Sequence, residues 1–495
     1  MSIETLNISR SRFARERTYV WWVPATFLLI GLPLGAWSVL IQGGGSSHSV
    51  PFGLETGWFV LLAVGYLGLH GLRGMAWGSA QVLLTIEALT YFVAVPVWRF
   101  ATREDQVDSG YTHAMWLVLI GFTAFWVGSL ILLKDTEMRF APRIRNTTQR
   151  VAFVSAAMFG TGVLVKLLMW RAGLFSYLAD PGVRAASQGF LQWLGILANL
   201  LNGALVVSAI EIFGKQSREP LIRIVFGLSL MTSLGFGVIS GMKGEIVQPV
   251  LFVVLVYGIV KGRLPRTAIL LPVLLAIFIY PFVEAYRHNL SQGYGAQVNT
   301  LGGLQAALVQ SFDDAFLSFG SESEQAAQSS SQATRRMSYL TNLRDVVELP
   351  DPSALAGDET IWLAPIYPLV PRYIWKTKPV MDEGVRFAMA LGSRGGTSEA
   401  MTPIGDLYAR YEAYGVVLGM FIYGLCLQGY MNWRGGQISE SGLFIHISML
   451  ITFLYFEGDF VGTIGREIQM FLVAIVTAYV IYGRQASAVR VRGAQ

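Results

Sequence analysis

The stretch THAMWLVLIGFTAFWVGSLILL, residues 112–133, holds 22 consecutive residues without one Asp, Glu, Lys or Arg. An α-helix rises about 1.5 Å per residue, so a helix of this length crosses the roughly 30 Å hydrocarbon core of a bilayer. Lipid offers no partner to backbone N–H and C=O groups, and a helix satisfies them internally. The stretch therefore predicts a membrane-spanning helix.

Comparable apolar segments recur along the chain and set the fold class. Twelve have the length and composition of spans, at 19–41, 57–73, 79–98, 112–133, 151–169, 191–213, 221–240, 245–260, 265–284, 413–431, 442–457 and 468–482. The pair 221–260 would also fit a re-entrant hairpin around the turn at 240–244. We predict an all-α polytopic membrane protein with about 12 transmembrane helices and an even number of crossings.

Composition excludes most other classes of protein. Of the 495 residues, 53% are hydrophobic and 14% are charged, whereas a soluble domain carries about 25% charged residues. The single cysteine, Cys426, excludes an intramolecular disulfide and a cysteine-rich metal site. The sequence has no Gly-rich phosphate loop, HExxH or CxxC motif and only short cytoplasmic loops, which excludes an ATP-driven pump in one chain. We predict neither a metal nor a cofactor.

The positions of Lys and Arg predict the orientation. With the N-terminus inside, the cytoplasmic segments carry 20 of them and the short outside loops carry six, as the positive-inside rule requires. The cations fall in bursts between apolar blocks, so the net charge of +5 does not indicate a nucleic-acid partner. The basic first 18 residues and the long apolar stretch after them predict a retained signal anchor. Both termini are predicted to be cytoplasmic.

One long segment interrupts this pattern and divides the chain into three parts. Residues 1–284 contain spans 1–9, residues 285–410 form a large outside loop, and residues 411–495 contain spans 10–12. Within the loop, apolar residues at helical spacing in 301–318 predict an amphipathic helix on the outer leaflet. The polar, Ser-rich stretch 321–336 predicts a flexible connector.

A basic and aromatic segment follows, Pro-Arg-Tyr-Ile-Trp-Lys-Thr-Lys-Pro at 371–379. Arginine binds phosphate oxygens in a bidentate manner, and aromatic faces stack on sugar rings or anchor in lipid headgroups. A lipid that carries phosphate and sugar would satisfy both residue types. An interfacial belt of Trp, Tyr and Arg explains the composition equally well.

Further charged residues on the outside add to this segment. Arg184, Lys243 and Arg287 lie against the positive-inside trend, which favours a functional role for them as a group, although each alone could be a snorkelling or ion-paired loop residue. The acidic candidates on the same side are Glu284, Asp382, Glu383, Glu399, Asp406, Glu457 and Asp459. Sugar transfer to a hydroxyl needs a base and positive charge for a departing pyrophosphate, and a salt-bridge network needs the same residues.

Two ionisable residues, Glu87 and Lys166, lie within predicted spans. Lys166 is near the outer end of its span and can snorkel, whereas Glu87 is close to mid-span and must face protein or water. A buried acid of this kind is typical of proton coupling in a transporter, or of a structural hydrogen bond. A transporter therefore stays among the alternatives.

Three motifs resemble one family. Residues 402–419, with Thr-Pro-Ile-Gly-Asp-Leu-Tyr followed by Tyr-Gly-Val-Val-Leu-Gly, are similar to the Pro-x-x-Gly-[Asp/Glu]-x-Tyr...Gly-x-x-Gly pattern of bacterial O-antigen and exopolysaccharide repeat-unit polymerases of the Wzy type. Residues 370–379 resemble their Pro-Arg-x-x-Trp-x-x-Lys-Pro signature, and the turn at 240–244 resembles their Ser-Gly-x-[Arg/Lys]-Gly turn. Lys243 keeps the charge of the arginine often found there and loses its bidentate geometry.

The resemblance implies an inverting, metal-independent glycosyltransferase of the GT-C superfamily in the bacterial inner membrane. It would polymerise undecaprenyl-pyrophosphate-linked oligosaccharide repeat units at the periplasmic face, beside a flippase and a chain-length regulator. The pyrophosphates would be held by Arg184, Lys243, Arg287, Arg372 and Lys378, and the sugars would stack on Tyr373, Trp375 and Tyr408. Asp406 is the first candidate for the base, before Glu284 and Asp382, and it could equally cap the tenth helix.

Three other functions stay open as alternatives. A transporter or flippase of lipid-linked glycans predicts pseudo-symmetric halves, and the sequence shows no convincing internal repeat. An O-antigen ligase would use the same lipid donor and a different acceptor. An assembly scaffold without chemistry is the last alternative.

Overall fold

The computed structural model describes most of the chain. The described residues are 48–72, 78–134, 138–142, 148–175, 193–262, 282–283, 285–287, 289–290, 300–317, 335, 338–370, 374–379, 383–392, 399–454 and 456–483. Their architecture is mostly helical, with one short two-stranded ribbon.

The helices and strands follow one another in a simple order. The elements are α1 (Ser49–Leu72), α2 (Ala80–Ala88), α3 (Val95–Ala101), α4 (Ser109–Ile131), β1 (Met138–Phe140), α5 (Thr148–Arg171), α6 (Leu200–Ala209), α7 (Pro220–Ser240), α8 (Lys243–Lys261), α9 (Leu301–Phe312), α10 (Tyr339–Val347), α11 (Glu383–Ala390), α12 (Thr402–Arg434), β2 (Gly436–Ile438), α13 (Glu440–Phe453) and α14 (Phe460–Tyr482). The π-helical turn Leu89–Ala94 joins α2 to α3, and the turn Ile210–Gly214 extends α6.

The described part of the chain contains nine helices that are long and apolar enough to cross a membrane. They are Ser49–His70, Ala80–Ala101, Ser109–Ile131, Gln149–Arg171, Trp193–Gly214, Pro220–Ser240, Gly244–Lys261, Thr402–Arg434 and Phe460–Tyr482. This confirms a multi-pass, all-α membrane protein. The predicted span 442–457 corresponds to the shorter apolar helix α13, whereas 19–41 and nearly all of 265–284 lie outside the described residues. The total of 12 crossings and the orientation stay predictions.

Local sequence sets where these helices begin and end. Asp108 accepts a hydrogen bond from the backbone N–H of Tyr111 and so caps α4, and Ser79 caps α2 in the same way. Pro220 occupies the first turn of α7, where a missing N–H costs nothing. Helix α12 changes direction at Tyr411 and Glu412, whose backbone angles are not helical. The predicted span 413–431 therefore begins directly after this kink.

Close packing of α4 against α12 forms the centre of the bundle. A Cβ on Gly128 would clash with the backbone carbonyl of Phe421, and one on Gly424 would clash with that of Phe125. Small residues allow helices in a membrane to approach this closely, since dispersion contacts replace the hydrophobic effect there. The core around these glycines contains stacked and edge-to-face rings such as Phe122.

The two ends of the bundle are built differently. At one end, here called the ribbon end, β1 pairs in parallel with β2, in the register Met138 to Gly436. At the other end, here called the loop end, the segment between α8 and α12 contacts the helices. There Arg344 on α10 binds Asp108 at 2.7 Å, and Thr341 lies 3.1 Å from the Tyr111 hydroxyl.

Helix α9 also packs at the loop end. Its Leu304 and Ala307 are buried in a cluster with Trp170 and Phe236, whereas Phe312 is exposed. The helix predicted within 301–318 is thus present, but its Leu304 face contacts protein rather than lipid. The predicted connector 321–336 lies outside the described residues except for Arg335.

Candidate functional site at the loop end

A polar cavity lies between the loop ends of four helices. Its volume is about 170 Å³. The residues around it belong to α5 and the turn after it, to the helix Trp193–Gly214, to α7 and to α8, and they are Lys166, Met169, Phe175, Gly195, Ala198, Asn199, Asn202, Ser233, Glu245 and Gln248. We call this space the loop-end cavity. It places six polar side chains inside segments that are otherwise apolar.

An ion pair spans one side of the loop-end cavity. Lys166 Nζ lies 3.4 Å from Glu245 Oε2, and it also lies 5.6 Å and 5.5 Å from the centres of the Phe175 and Phe236 rings. The Lys166 side chain is 10% exposed and that of Glu245 is 32% exposed. The ammonium is therefore held by a carboxylate and two ring faces, and the carboxylate keeps access to the cavity.

Amide and hydroxyl groups line another side of the cavity. Ser233 Oγ donates to Asn202 Oδ1 at 3.3 Å, and Asn202 Nδ2 donates to Asn199 Oδ1 at 3.5 Å. Asn199 and Asn202 lie three residues apart on the same helix face, and Ser233 reaches them from α7. The two bonds join Asn199, Asn202 and Ser233 across two helices. Each of these side chains keeps further donor or acceptor capacity.

A glycine turn leads directly into the cavity. Gly241 ends α7 with φ at +63°, a left-handed conformation that favours glycine. Its carbonyl accepts a hydrogen bond of 2.7 Å from Arg287 Nε, and Tyr286 donates its hydroxyl to the carbonyl of Ile239 at 3.2 Å. The turn and the segment 285–287 are thereby joined. Two of the predicted cations, Arg287 and Lys243, belong to this assembly, although the Lys243 side chain is outside the described part.

A second group of charged residues at the loop end is closed and saturated. Asp406 is fully buried, and one of its carboxylate oxygens accepts a hydrogen bond of 2.6 Å from Arg410 Nε. Its other oxygen accepts the backbone N–H groups of Phe460 and Val461 at 3.0 and 3.3 Å. Asp406 therefore caps the first turn of α14 rather than its own helix.

Arginines connect Asp406 to two further carboxylates. Arg410 also donates to the backbone carbonyl of Glu359 and lies 3.4 Å from Glu383 Oε1. Arg386 binds both carboxylate oxygens of Glu359 at 3.0 Å. We call these five residues, Glu359, Glu383, Arg386, Asp406 and Arg410, the arginine cluster.

The arginine cluster contains more acid than base. Burial, together with the nearby Asp459, Glu359 and Asp406 carboxylates, raises the pKa of Glu383 to about 8. Glu383 is 1% exposed. A protonated Glu383 would balance two arginines against two remaining carboxylates.

The other predicted site residues fall in several places. Trp375 lies 5.6 Å from the ring of Tyr367, and Lys378 Nζ donates to the carbonyl of Val370 at 3.2 Å. Tyr408 packs edge-on against His113 at 5.6 Å. Arg184, Glu284, Arg372, Tyr373 and Asp382 lie outside the described residues.

Sequence reasoning singled out Lys166 but missed most of the cavity around it. Glu245, Gln248, Asn199, Asn202 and Ser233 were not candidates. The available signal was the presence of amides and a carboxylate inside apolar spans, because polar groups are costly there and mark protein-facing or water-facing positions. Arg410 was missed as well, although it lies four residues after Asp406.

Comparison with known proteins gives one match. The family model described as Domain of unknown function (DUF8712) matches residues 118–436, more than half of the chain. The matched range contains the loop-end cavity and all five residues of the arginine cluster. No curated protein and no solved structure matches.

Proposed function

The chain belongs to the family described as Domain of unknown function, DUF8712, and we propose that it polymerises undecaprenyl-pyrophosphate-linked oligosaccharides at the periplasmic face of the bacterial inner membrane. The observation that carries the proposal is the loop-end cavity, which joins a carboxylate to a basic glycine turn. Glu245 lines the cavity and lies two residues after Lys243 and four after Gly241, whose carbonyl binds Arg287. The proposed base is thus two residues from one of the predicted pyrophosphate-binding cations and four residues from the glycine that binds another.

The chemistry needs three events. The oxygen of an acceptor hydroxyl forms a bond to the anomeric carbon of the donor sugar, and the bond from that carbon to the pyrophosphate oxygen breaks. The hydroxyl proton passes to a carboxylate, and the leaving pyrophosphate keeps the electron pair. Inversion follows from this single displacement.

The structure suggests which residues serve these events. Glu245 faces the cavity with 32% of its side chain exposed, so it is our candidate for the proton acceptor. Arg287 and Lys243 would stabilise the pyrophosphate, with Arg184, Arg372 and Lys378 as further candidates from the sequence. Asp406 has both oxygens occupied by Arg410 and by backbone N–H groups, which favours a positioning role for it.

Purified protein in nanodiscs tests the proposal directly. The protein would receive one undecaprenyl-pyrophosphate-linked repeat unit, and products would be analysed by gel and mass spectrometry. We expect a ladder of lipid-linked products spaced by one repeat, and its loss in Glu245→Gln. Glu211→Gln is the control, because Glu211 is also a carboxylate ion-paired to a lysine but lies at the ribbon end, away from the cavity. No ladder with the cognate substrate would refute the proposal.

Two other functions are outcomes of the same experiment. Glu87 accepts a hydrogen bond from the backbone of Phe456, and its buried Oε2 has no partner among the described residues, which favours a carrier for lipid-linked glycans. Movement of the lipid across the bilayer without a ladder would identify that carrier or flippase. Transfer of the glycan only when a lipid A core is supplied would identify a ligase. A flippase and a chain-length regulator are the partners that we propose for the polymerase.

A further inference from the structure

We propose that the loop-end cavity is a subsite for one neutral sugar ring, separate from the place where pyrophosphate binds. The inference rests on the proposed function and assigns the cavity to the terminal sugar of the acceptor. The inference depends on the side chains that line the cavity and not on the charge of the turn at 240–244.

The size of the cavity fits a six-membered ring. Apolar protein cavities of about 150 Å³ hold a benzene molecule. The loop-end cavity has a volume of about 170 Å³. One pyranose ring fits this space, whereas an oligosaccharide does not, so the remaining sugars of a repeat unit would extend toward the loop end.

The polar lining fits hydroxyl groups. Asn199, Asn202, Ser233 and Gln248 supply both donors and acceptors. Phe175 adds an aromatic ring, and Met169 adds an apolar contact. Such a mixture of amides and a ring face suits a ligand that has hydroxyls on its edge and C–H groups on its face.

The charge balance of the cavity argues against an anionic ligand. Lys166 is the cation of the lining, and it is already paired with Glu245 and lies against two aromatic rings. A phosphate that displaced Glu245 from Lys166 would lie beside the displaced carboxylate, and two like charges this close together repel each other. The cavity therefore selects a neutral ligand, and the anion goes to the turn at 240–244.

A pair of glycine substitutions tests this assignment. A Cβ added at Gly195, in the cavity lining, would meet no atom within 4 Å, and the same is true of Gly227 on α7. Gly195→Leu therefore adds an apolar side chain at the cavity lining, where its Cβ has space, and Gly227→Leu is the matched control. Leucine also favours a helix more than glycine does, so both variants are expected to fold.

Saturation-transfer NMR on protein in nanodiscs measures the binding. The probes are methyl glycosides of neutral hexoses, a methyl hexuronate, and inorganic pyrophosphate as competitor. We expect saturation transfer to at least one neutral glycoside in the wild type and in Gly227→Leu, and at least a tenfold weaker affinity in Gly195→Leu. We expect no transfer to the hexuronate and no competition by pyrophosphate. Binding that is equal in both variants, transfer to no neutral glycoside, or competition by pyrophosphate would overturn the inference.

The ladder assay separates the two proposals. A ladder formed by Gly195→Leu at the wild-type rate would refute the sugar subsite and leave the polymerase intact. Specific binding of a neutral glycoside without any ladder in the wild type would refute the polymerase and leave a sugar site in this cavity.

Discussion

The loop end of this protein contains two groups of buried charge that differ in one respect. In the arginine cluster, Arg410 is 5% exposed and Asp406 is fully buried, and every oxygen of Asp406 has a partner. In the loop-end cavity, the Lys166–Glu245 pair borders empty space, and a third of the Glu245 side chain is exposed. One group is closed and the other is open.

The difference separates a structural network from a binding site. Two arginines and three carboxylates in a closed cluster join the loop to α12 and α14, because each charge requires the others for its solvation. The groups around an ion pair beside a cavity are not saturated in this way. A ligand can bind to their remaining donors and acceptors. Charged residues at the loop end therefore indicate a binding site only where a cavity lies beside them.

The largest effect is expected for Arg410→Met. The substitution leaves Asp406 buried without its cation, whereas Glu359 and Glu383 keep Arg386. Removal of one partner from such a network costs about 3–5 kcal/mol of unfolding free energy. Titration with sodium dodecyl sulfate in detergent micelles would measure this loss. Arg410→Lys is the control, since it keeps the charge and loses the fork of donors. A loss below about 1 kcal/mol for Arg410→Met would mean that the cluster does not hold the loop.

The second prediction compares two buried lysines. Lys215 lies 2.9 Å from Glu211 and 3.3 Å from Glu440 at the ribbon end, and both carboxylates are almost completely buried. Lys215→Met is expected to cost about 3 kcal/mol. Lys166→Met is expected to cost about 1 kcal/mol or less, because Glu245 faces the cavity and can be hydrated.

Lys166→Met and Lys215→Met should rank in the opposite order when activity rather than stability is measured. We expect Lys166→Met to lose most of the ladder in nanodiscs and Lys215→Met to keep it, when rates are expressed per folded protein. Equal stability losses in the two variants would contradict the distinction between an open and a closed ion pair.

The sequence predicted the membrane helices and one part of the site. Continuous apolar runs such as 112–133 predicted helices because a bilayer dictates both length and composition. The turn at 240–244 was recognisable because glycine and a cation on the less basic side are unusual there. Arg287 was a candidate for the same reason, and the structure places it on the Gly241 carbonyl.

The rest of the site depends on packing that sequence does not display. Lys166 and Glu245 are 79 residues apart and meet only because α8 begins near the place where α5 ends. Asp406 binds backbone groups of α14 that lie 54 and 55 residues later, and a cap of another helix leaves no local pattern. The local spacing around Asp406 therefore predicted a cap of the tenth helix or a base. Nothing in that spacing indicated that Asp406 binds α14.

A smaller effect is expected for Asp406→Asn. The amide oxygen can still accept from Phe460 or Val461, but the charged bond to Arg410 is lost, so we expect a loss of about 1–2 kcal/mol of unfolding free energy. The ladder activity per folded protein should stay close to wild type. Asp459→Asn is the control. Asp459 caps the same helix by accepting a hydrogen bond from the backbone N–H of Gly462, and among the described residues it forms no bond to Arg410. A folded Asp406→Asn without any ladder would restore Asp406 as the base.

The last prediction concerns the pH dependence of the arginine cluster. Glu383 has a pKa of about 8 in the folded protein and 4.5 in a solvated chain, so the folded state binds a proton that the unfolded state releases. A raised pKa gives stability that is complete below pH 4.5 and is lost as the pH rises to about 8. Glutamine mimics the protonated acid and has no proton to release. Glu383→Gln should therefore match the wild type near pH 4.5 and become progressively more stable than it up to pH 8, as measured by melting temperature. Asp358→Asn, an exposed position on the loop outside the cluster, is the control. A Glu383→Gln variant that is less stable than the wild type at pH 8 would show that Glu383 is ionised beside Arg410 and Arg386.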